Sequence, residues 1–136
     1  MTHNYHTNAG AKYKLTAHLV WCPKYRRPVL TGEINTRLKN LIQEIAQEKE
    51  WEILSLEVLP DHVHLLVSYD PKASVSYLAN QFKGRTSRVW RNEYPSLRSR
   101  LPTLWSRSYF ASSVGVDEQV VREYIDTQYE RPWRRT

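Results

Sequence analysis

Cysteine is nearly absent. Cys22 stands alone in 136 residues, so no internal disulfide can form and no second thiol is available for a zinc site. No apolar run approaches the roughly 18 residues needed to cross a bilayer. The opening segment, Met1-Thr2-His3-Asn4-Tyr5, lacks the apolar core of a secretory signal. Internal repeats, low-complexity tracts and linkers are missing as well. These absences argue against a disulfide-stapled secreted module and a helical membrane protein, and they lead us to expect one cytoplasmic domain spanning residues 1–136. A chain of this length buries an ordinary core without staples. With 40% apolar and 25% charged residues, its composition is that of a globular protein.

Acids are also scarce: 14 Asp and Glu face 20 Lys and Arg, a formal net charge of +6. A basic surface attracts polyanions, nucleic acid foremost. The basic residues cluster. Lys83, Arg85, Arg88, Arg91, Arg98, Arg100 and Arg107 face a single acid, Glu93, between residues 83 and 107. Lys24-Tyr25-Arg26-Arg27 forms a second group, and Arg131, Arg134 and Arg135 a third. Five Trp and nine Tyr accompany them; aromatic rings beside arginines suit stacking on unpaired bases, or else they fill a core.

Periodicity divides the chain into alternating elements. Leu15, Ala17, Leu19 and Trp21 share one face of a strand predicted from Lys14 to Trp21, which Pro23 stops because it cannot donate to a ladder. After Gly32, Ile34, Leu38, Leu41, Ile42 and Ile45 recur at helical spacing to about Lys49. Trp51–Leu59 and His62–Ser68 read as strands joined by Pro60-Asp61, a connection short enough for an antiparallel hairpin. Asp70-Pro71 precedes a helix predicted over Ser74–Trp90, with Val75, Leu78, Phe82 and Val89 on its apolar side. Residues 92–104, containing Pro95 and Pro102, read as a loop. Trp105–Ser113 supplies a candidate fourth strand. Gly115 breaks it, Asp117 is a good N-cap, and a last helix is expected over Glu118–Glu130, closed by Pro132. The order βαββαβα matches an α+β fold of ferredoxin-like (RRM-like) type: a four-stranded antiparallel sheet with two helices on one face, plus a C-terminal helix.

Chemistry concentrates at His62-Val63-His64. A strand sends residues i and i+2 to one face, roughly 6.6–6.8 Å apart, so both imidazoles can turn to one metal ion while Val63 enters the core. Asp61 is either an orienting partner of His62 or a turn former. On the last helix Tyr124 and Gln128, four residues apart, share a face. A tyrosine is a candidate covalent nucleophile, and a metal that polarises its target reduces the need for prior ionisation. Gln128 can complete a neutral ligand set with His62 and His64 that suits Mg²⁺ or Mn²⁺, with Zn²⁺ left open. Tyr129 is a rival nucleophile without a glutamine four residues away, and Cys22 reads as an inert small hydrophobe.

Five segments in order resemble the small single-tyrosine HUH transposases of the insertion sequence IS200/IS605 group. They are His18-Leu19-Val20-Trp21-Cys22-Pro23-Lys24-Tyr25-Arg26, Leu59-Pro60-Asp61-His62-Val63-His64-Leu65-Leu66-Val67, Phe82-Lys83-Gly84, Leu104-Trp105-Ser106-Arg107-Ser108-Tyr109-Phe110 and Tyr124-Ile125-Asp126-Thr127-Gln128. The resemblance implies cleavage and rejoining of single-stranded DNA at the ends of a mobile element through a 5′-phosphotyrosine link. It implies Tyr124 as nucleophile and His62, His64 and Gln128 as ligands of a divalent metal, Mg²⁺ or Mn²⁺. It implies recognition of imperfect subterminal hairpins by a homodimer, in which the histidine pair of one subunit serves the tyrosine helix of the other, with Gly115 as a candidate hinge. Lys24, Arg26, Arg27, Lys83, Arg85 and Arg88 are the expected DNA contacts, their cations supplying salt-dependent affinity for phosphates. Three other readings compete: a domesticated hairpin-nicking relative, a replication or plasmid-transfer initiator, and a non-catalytic single-strand-binding module.

Overall fold

The structure is a computed structural model that describes residues 5–6, 12–13, 15–94, 104–112 and 122–128. Two short strands, β1 (Tyr5–His6) and β2 (Lys12–Tyr13), form an antiparallel ribbon. Two-residue strands leave no periodic pattern to read, and the sequence did not announce them. β3 (Leu15–Trp21), β4 (Glu52–Leu59), β5 (His62–Tyr69) and β6 (Phe110–Ser112) make the main sheet. Its order is β4-β5-β3-β6, and every neighbouring pair is antiparallel. This is the expected α+β architecture.

Alternation assigns the two faces. Ala17, Leu19 and Trp21 of β3 and Val63, Leu65 and Val67 of β5 are all buried against α1 (Gly32–Lys49) and α2 (Val75–Glu93). Gly32 opens α1 at φ 60°, in the left-handed region that glycine enters without steric cost. Ser74 caps α2, its Oγ accepting from the Tyr77 N–H at 3.1 Å. α2 runs three residues beyond the expected end at Trp90, because Arg37 of α1 grips Glu93 in a bidentate pair at 3.0 and 2.9 Å. Among the described residues, no helix is long and apolar enough to cross a membrane.

The structure decides one open alternative and corrects one expectation. Trp21, Trp51, Trp90 and Trp105 are all core residues, each at most 7% exposed, so these four rings stabilise the fold and are not displayed for base stacking. Each such burial is worth a few kcal/mol. The fourth strand was expected over Trp105–Ser113; among the described residues its ladder holds Phe110–Ser112, and Trp105 makes an isolated antiparallel bridge with Pro23. Trp105 instead turns inward, where its indole N–H donates to Thr86 Oγ1 at 2.9 Å. The carbonyls of residues 106–108 all accept from Lys83, so the segment does not alternate as a strand does. Lys14, most of the 92–104 loop, Ser113, Gly115, Asp117, the ends of the last helix, Tyr129, Arg98, Arg100 and the C-terminal arginines lie outside the described residues.

Candidate active site

The second face of the sheet carries His18, Val20, His62 and His64. β5 presents His62 and His64 together while Val63 between them is fully buried, and the two ring centroids are 4.9 Å apart. Both rings have a polar neighbour at Nδ1. His62 Nδ1 lies 2.7 Å from Asp61 Oδ1. His64 Nδ1 lies 3.4 Å from Nε2 of His18, on the adjacent strand β3.

Asp61 also accepts from Arg26 Nε at 2.7 Å. Burial works against its ionisation, but the hydrogen bonds from His62 and Arg26 outweigh that and hold its pKa below the usual carboxylate value. An ionised carboxylate only accepts, so His62 must carry a hydrogen on Nδ1, and in the neutral tautomer this leaves Nε2 as the acceptor atom. Burial lowers the pKa of His18, favouring the neutral ring.

Residues 122–128 form helix α3, which lies over this same face. Ile125 packs on Val20 and Cys22, and Val20 is the cross-strand partner of His64. Tyr124 packs beside Phe110, with ring centroids 6.0 Å apart. Asp126 accepts from Arg26 Nη1 at 3.1 Å, so one guanidinium ties α3 to Asp61 and thereby to His62. Arg26 reaches both acids from a turn in which it and Tyr25 take positive φ, 52° and 63°. Each such residue costs about 1–2 kcal/mol, offset here by backbone bonds such as Lys24 N–H to the Leu104 carbonyl at 2.8 Å. The Tyr124 hydroxyl is 3.0 Å from Ser108 Oγ, and Ser108 donates to Gln128 Oε1 at 3.3 Å. The Gln128 amide nitrogen donates to the Tyr124 carbonyl and Thr127 Oγ1, both at 3.3 Å.

The donor set admits a divalent ion. Two imidazoles on one strand, one beside Asp61 and the other beside His18, supply two nitrogen ligands. Among the described residues, no group of three or more His, Cys, Asp or Glu is arranged to hold a metal. On α3, the Gln128 amide is engaged by Ser108, Thr127 and the Tyr124 carbonyl; a hard ion at the histidine pair would take further oxygens from water and phosphate.

The six basic residues expected on DNA divide. Arg88 is exposed, and Lys24 and Arg27 flank the Tyr25 ring at 5.7 and 5.8 Å. The other three are committed within the protein: Arg26 to Asp61 and Asp126, Arg85 to Glu48 at 2.9 and 2.7 Å, and Lys83 to the 106–108 carbonyls. Charge counted along a chain does not reveal which cations fold back onto their own protein. Sequence reasoning missed His18, Ser108 and Asp126. His18 sits on the polar side of its strand's alternation, a signal that was available; nothing local singles out Ser108 or Asp126. Cys22 is buried, with its thiol pushed up to about 12 by burial and the nearby Asp61, the environment of an inert thiol.

Comparison with known proteins gives a consistent picture. The family model for IS200-like transposases matches residues 11–128. The ISDra2 transposase TnpA of Deinococcus radiodurans is 36% identical over 125 residues, covering 90% of this chain and 89% of the relative. The transposase for insertion sequence element IS200 of Salmonella typhimurium is 31% identical over 127 residues, 92% of this chain and 81% of that one. Among solved structures, a transposase candidate from D. radiodurans R1 superposes with a TM-score of 0.83 at 31% identity, covering 91% of this chain and 98% of the other. A REP-associated tyrosine transposase bound to a REP hairpin shares the fold at a TM-score of 0.57 and 17% identity, covering 88% of this chain and 67% of that one.

Proposed function

Because this chain belongs to the IS200-like transposase family, we propose that it cuts and rejoins single-stranded DNA at the ends of an insertion sequence, with Tyr124 as the nucleophile. The observation that carries this reading is the chain of contacts from α3 through Asp126, Arg26 and Asp61 to His62. It brings the tyrosine helix and the histidine pair to one face of one sheet.

The Tyr124 oxygen attacks the scissile phosphorus. A tyrosine–phosphorus bond forms, the bond from phosphorus to the 3′-oxygen breaks, and the phenol's proton ends on that leaving oxygen. The products are a 5′-phosphotyrosine and a 3′-hydroxyl. Rejoining is the reverse: a 3′-hydroxyl attacks another such link and the phenol recovers its proton. One phosphodiester is exchanged for another, so no outside energy source is needed. His62 and His64, with Gln128 as third ligand, would hold Mg²⁺ or Mn²⁺, which when bound polarises the phosphate. Asp61 orients His62. Exposed cations such as Arg88 would meet the DNA backbone.

The DNA partner is proposed to be a single strand with subterminal hairpins, a reading that the hairpin-bound REP-associated relative supports. A homodimer is proposed as the working assembly, with active sites shared between subunits. In the single chain described here α3 rests on its own sheet, so that sharing requires α3 to exchange.

The test uses a pool of single-stranded oligonucleotides bearing an imperfect hairpin and randomised flanks, incubated with Mn²⁺ or Mg²⁺ and resolved on a denaturing gel. A covalent protein–DNA adduct is expected, absent in Tyr124→Phe and after chelation. A native-gel shift with no adduct would make the protein a binding module. An adduct that survives Tyr124→Phe and vanishes in Tyr129→Phe would move the nucleophile.

A further inference from the structure

Lys83 leaves the solvent to bond its own chain. From α2 its ammonium donates to three successive carbonyls, those of Ser106, Arg107 and Ser108, at 2.9, 3.3 and 3.1 Å, and it lies 5.7 Å from the centre of the Tyr109 ring. Three carbonyls in a row turned the same way are not a strand. A cation with three donors satisfies them together. The same segment is anchored on both sides, by the Trp105 indole on Thr86 and by the Ser106 N–H on the Cys22 carbonyl at 2.9 Å. At its end stands Ser108, 3.0 Å from the Tyr124 hydroxyl and 3.3 Å from Gln128 Oε1. Ser108 has one hydrogen; when it is given to Gln128 Oε1, Ser108 Oγ is left to accept from the phenol.

We propose that Lys83 and Ser108 form a positioning relay: Lys83 sets the 106–108 segment, and Ser108 Oγ accepts a hydrogen bond from the phenol and fixes the aim of Tyr124. The relay joins α2, on one face of the sheet, to α3 on the other. It rests on the reading of Tyr124 as nucleophile. Lys83 then serves the reaction without touching DNA, in place of the phosphate contact that its charge suggested. Burial, which pushes its pKa down to about 8, agrees with an inward-facing ammonium.

The experiment compares wild type, Lys83→Met, Ser108→Ala, Ser108→Thr and the Lys83→Met/Ser108→Ala double variant on the hairpin pool with Mn²⁺. Two quantities are read: the single-turnover rate of adduct formation at saturating DNA, and hairpin affinity as a function of salt. Lys83→Met and Ser108→Ala should each slow adduct formation about 10- to 100-fold, the scale of a slightly misplaced reacting group. Affinity should stay within about twofold with an unchanged salt slope, because no phosphate contact is lost. Ser108→Thr, which keeps the hydroxyl, should recover most of the rate. The double variant should be about as slow as the worse single one, since both act through one geometry.

A Lys83→Met protein that binds more weakly, with a salt slope reduced by about one, makes Lys83 a DNA contact and overturns the relay. If Lys83→Met fails to fold, Ser108→Ala still decides, since it removes one oxygen from a half-buried position. A full-rate Ser108→Ala beside a normal wild-type adduct overturns the relay alone. No Tyr124-dependent adduct from wild type overturns the nucleophile assignment and the relay with it.

Discussion

Replacing Arg26 by alanine should cost about 2–3 kcal/mol of folding stability, nearly all of it from one leg of its two-way link. Arg26 and Asp61 side chains are 16% and 19% exposed, whereas Asp126 is 64% exposed. A charge-assisted hydrogen bond to a carboxylate largely withdrawn from water is worth about 1.5–3 kcal/mol. Breaking it leaves Asp61 ionised with His62 as its remaining partner in that pair of contacts. The Asp126 leg is a surface pair, worth roughly 0.2–1 kcal/mol. Asp126→Asn should therefore cost less than about 1 kcal/mol. Arg26→Lys should recover little, because an ammonium cannot present Nε and Nη1 to two carboxylates at once. Arg26→Gly should be milder than Arg26→Ala by about 0.5–1 kcal/mol, since glycine removes the left-handed penalty but is more flexible unfolded. At this chain length 1 kcal/mol moves Tm by roughly 3–5 °C, so Arg26→Ala should melt roughly 6–15 °C below wild type. Tryptophan fluorescence follows the transition, at one protein concentration for all variants. An Arg26→Ala protein within about 0.5 kcal/mol of wild type would refute the reasoning. So would an Asp126→Asn variant as unstable as Arg26→Ala, which would shift the weight to the exposed leg.

Thr86→Val keeps the shape of the side chain but strands the buried Trp105 indole N–H; the expected loss is about 1–3 kcal/mol in urea unfolding, and an unchanged midpoint would mean that the hydrogen bond is worth nothing net. Asp61→Asn can offer His62 an N–H where the carboxylate could only accept, releasing the ring from one tautomer. Mn²⁺ affinity, measured by titration calorimetry, should fall about 10- to 100-fold, and a wild-type affinity would show that Asp61 does not orient the ring. Lys83 gives a pH signature. The folded chain releases this proton near 8, while the unfolded chain holds it to about 10.5. Between those values the unfolded state binds the extra proton, so stability should rise with pH. Measured as wild type minus Lys83→Met in urea at pH 8, 9 and 10, the difference should grow by about 1–2 kcal/mol after discounting for partial exposure. A flat difference would place the ammonium in water.

Much of the fold was legible because its signals are local. The spacing of Leu38, Leu41, Ile42 and Ile45 marked α1, and all four are buried. Pro60-Asp61 between two apolar runs marked the hairpin, whose ladder runs from Leu59↔His62 to Glu52↔Ser68. The fourth strand was misjudged by five residues at its start. The decisive forces there, the pull of Thr86 on Trp105 and of Lys83 on three carbonyls, come from a helix some twenty residues away in the chain. The internal partners of the cationic residues were hidden for the same reason: Arg26 meets Asp126 across one hundred positions, and Arg85 meets Glu48 across thirty-seven.

The histidine pair needed nothing but its own strand. A β-backbone repeats every two residues, so once His62-Val63-His64 is extended both imidazoles share a face, whatever else the protein does. Which partners hold those rings, which serine meets the phenol and which cations stay exposed depend on how helices and sheet pack. That packing minimises exposed apolar surface and unpaired polar groups over the whole chain at once, and no short stretch of sequence contains it.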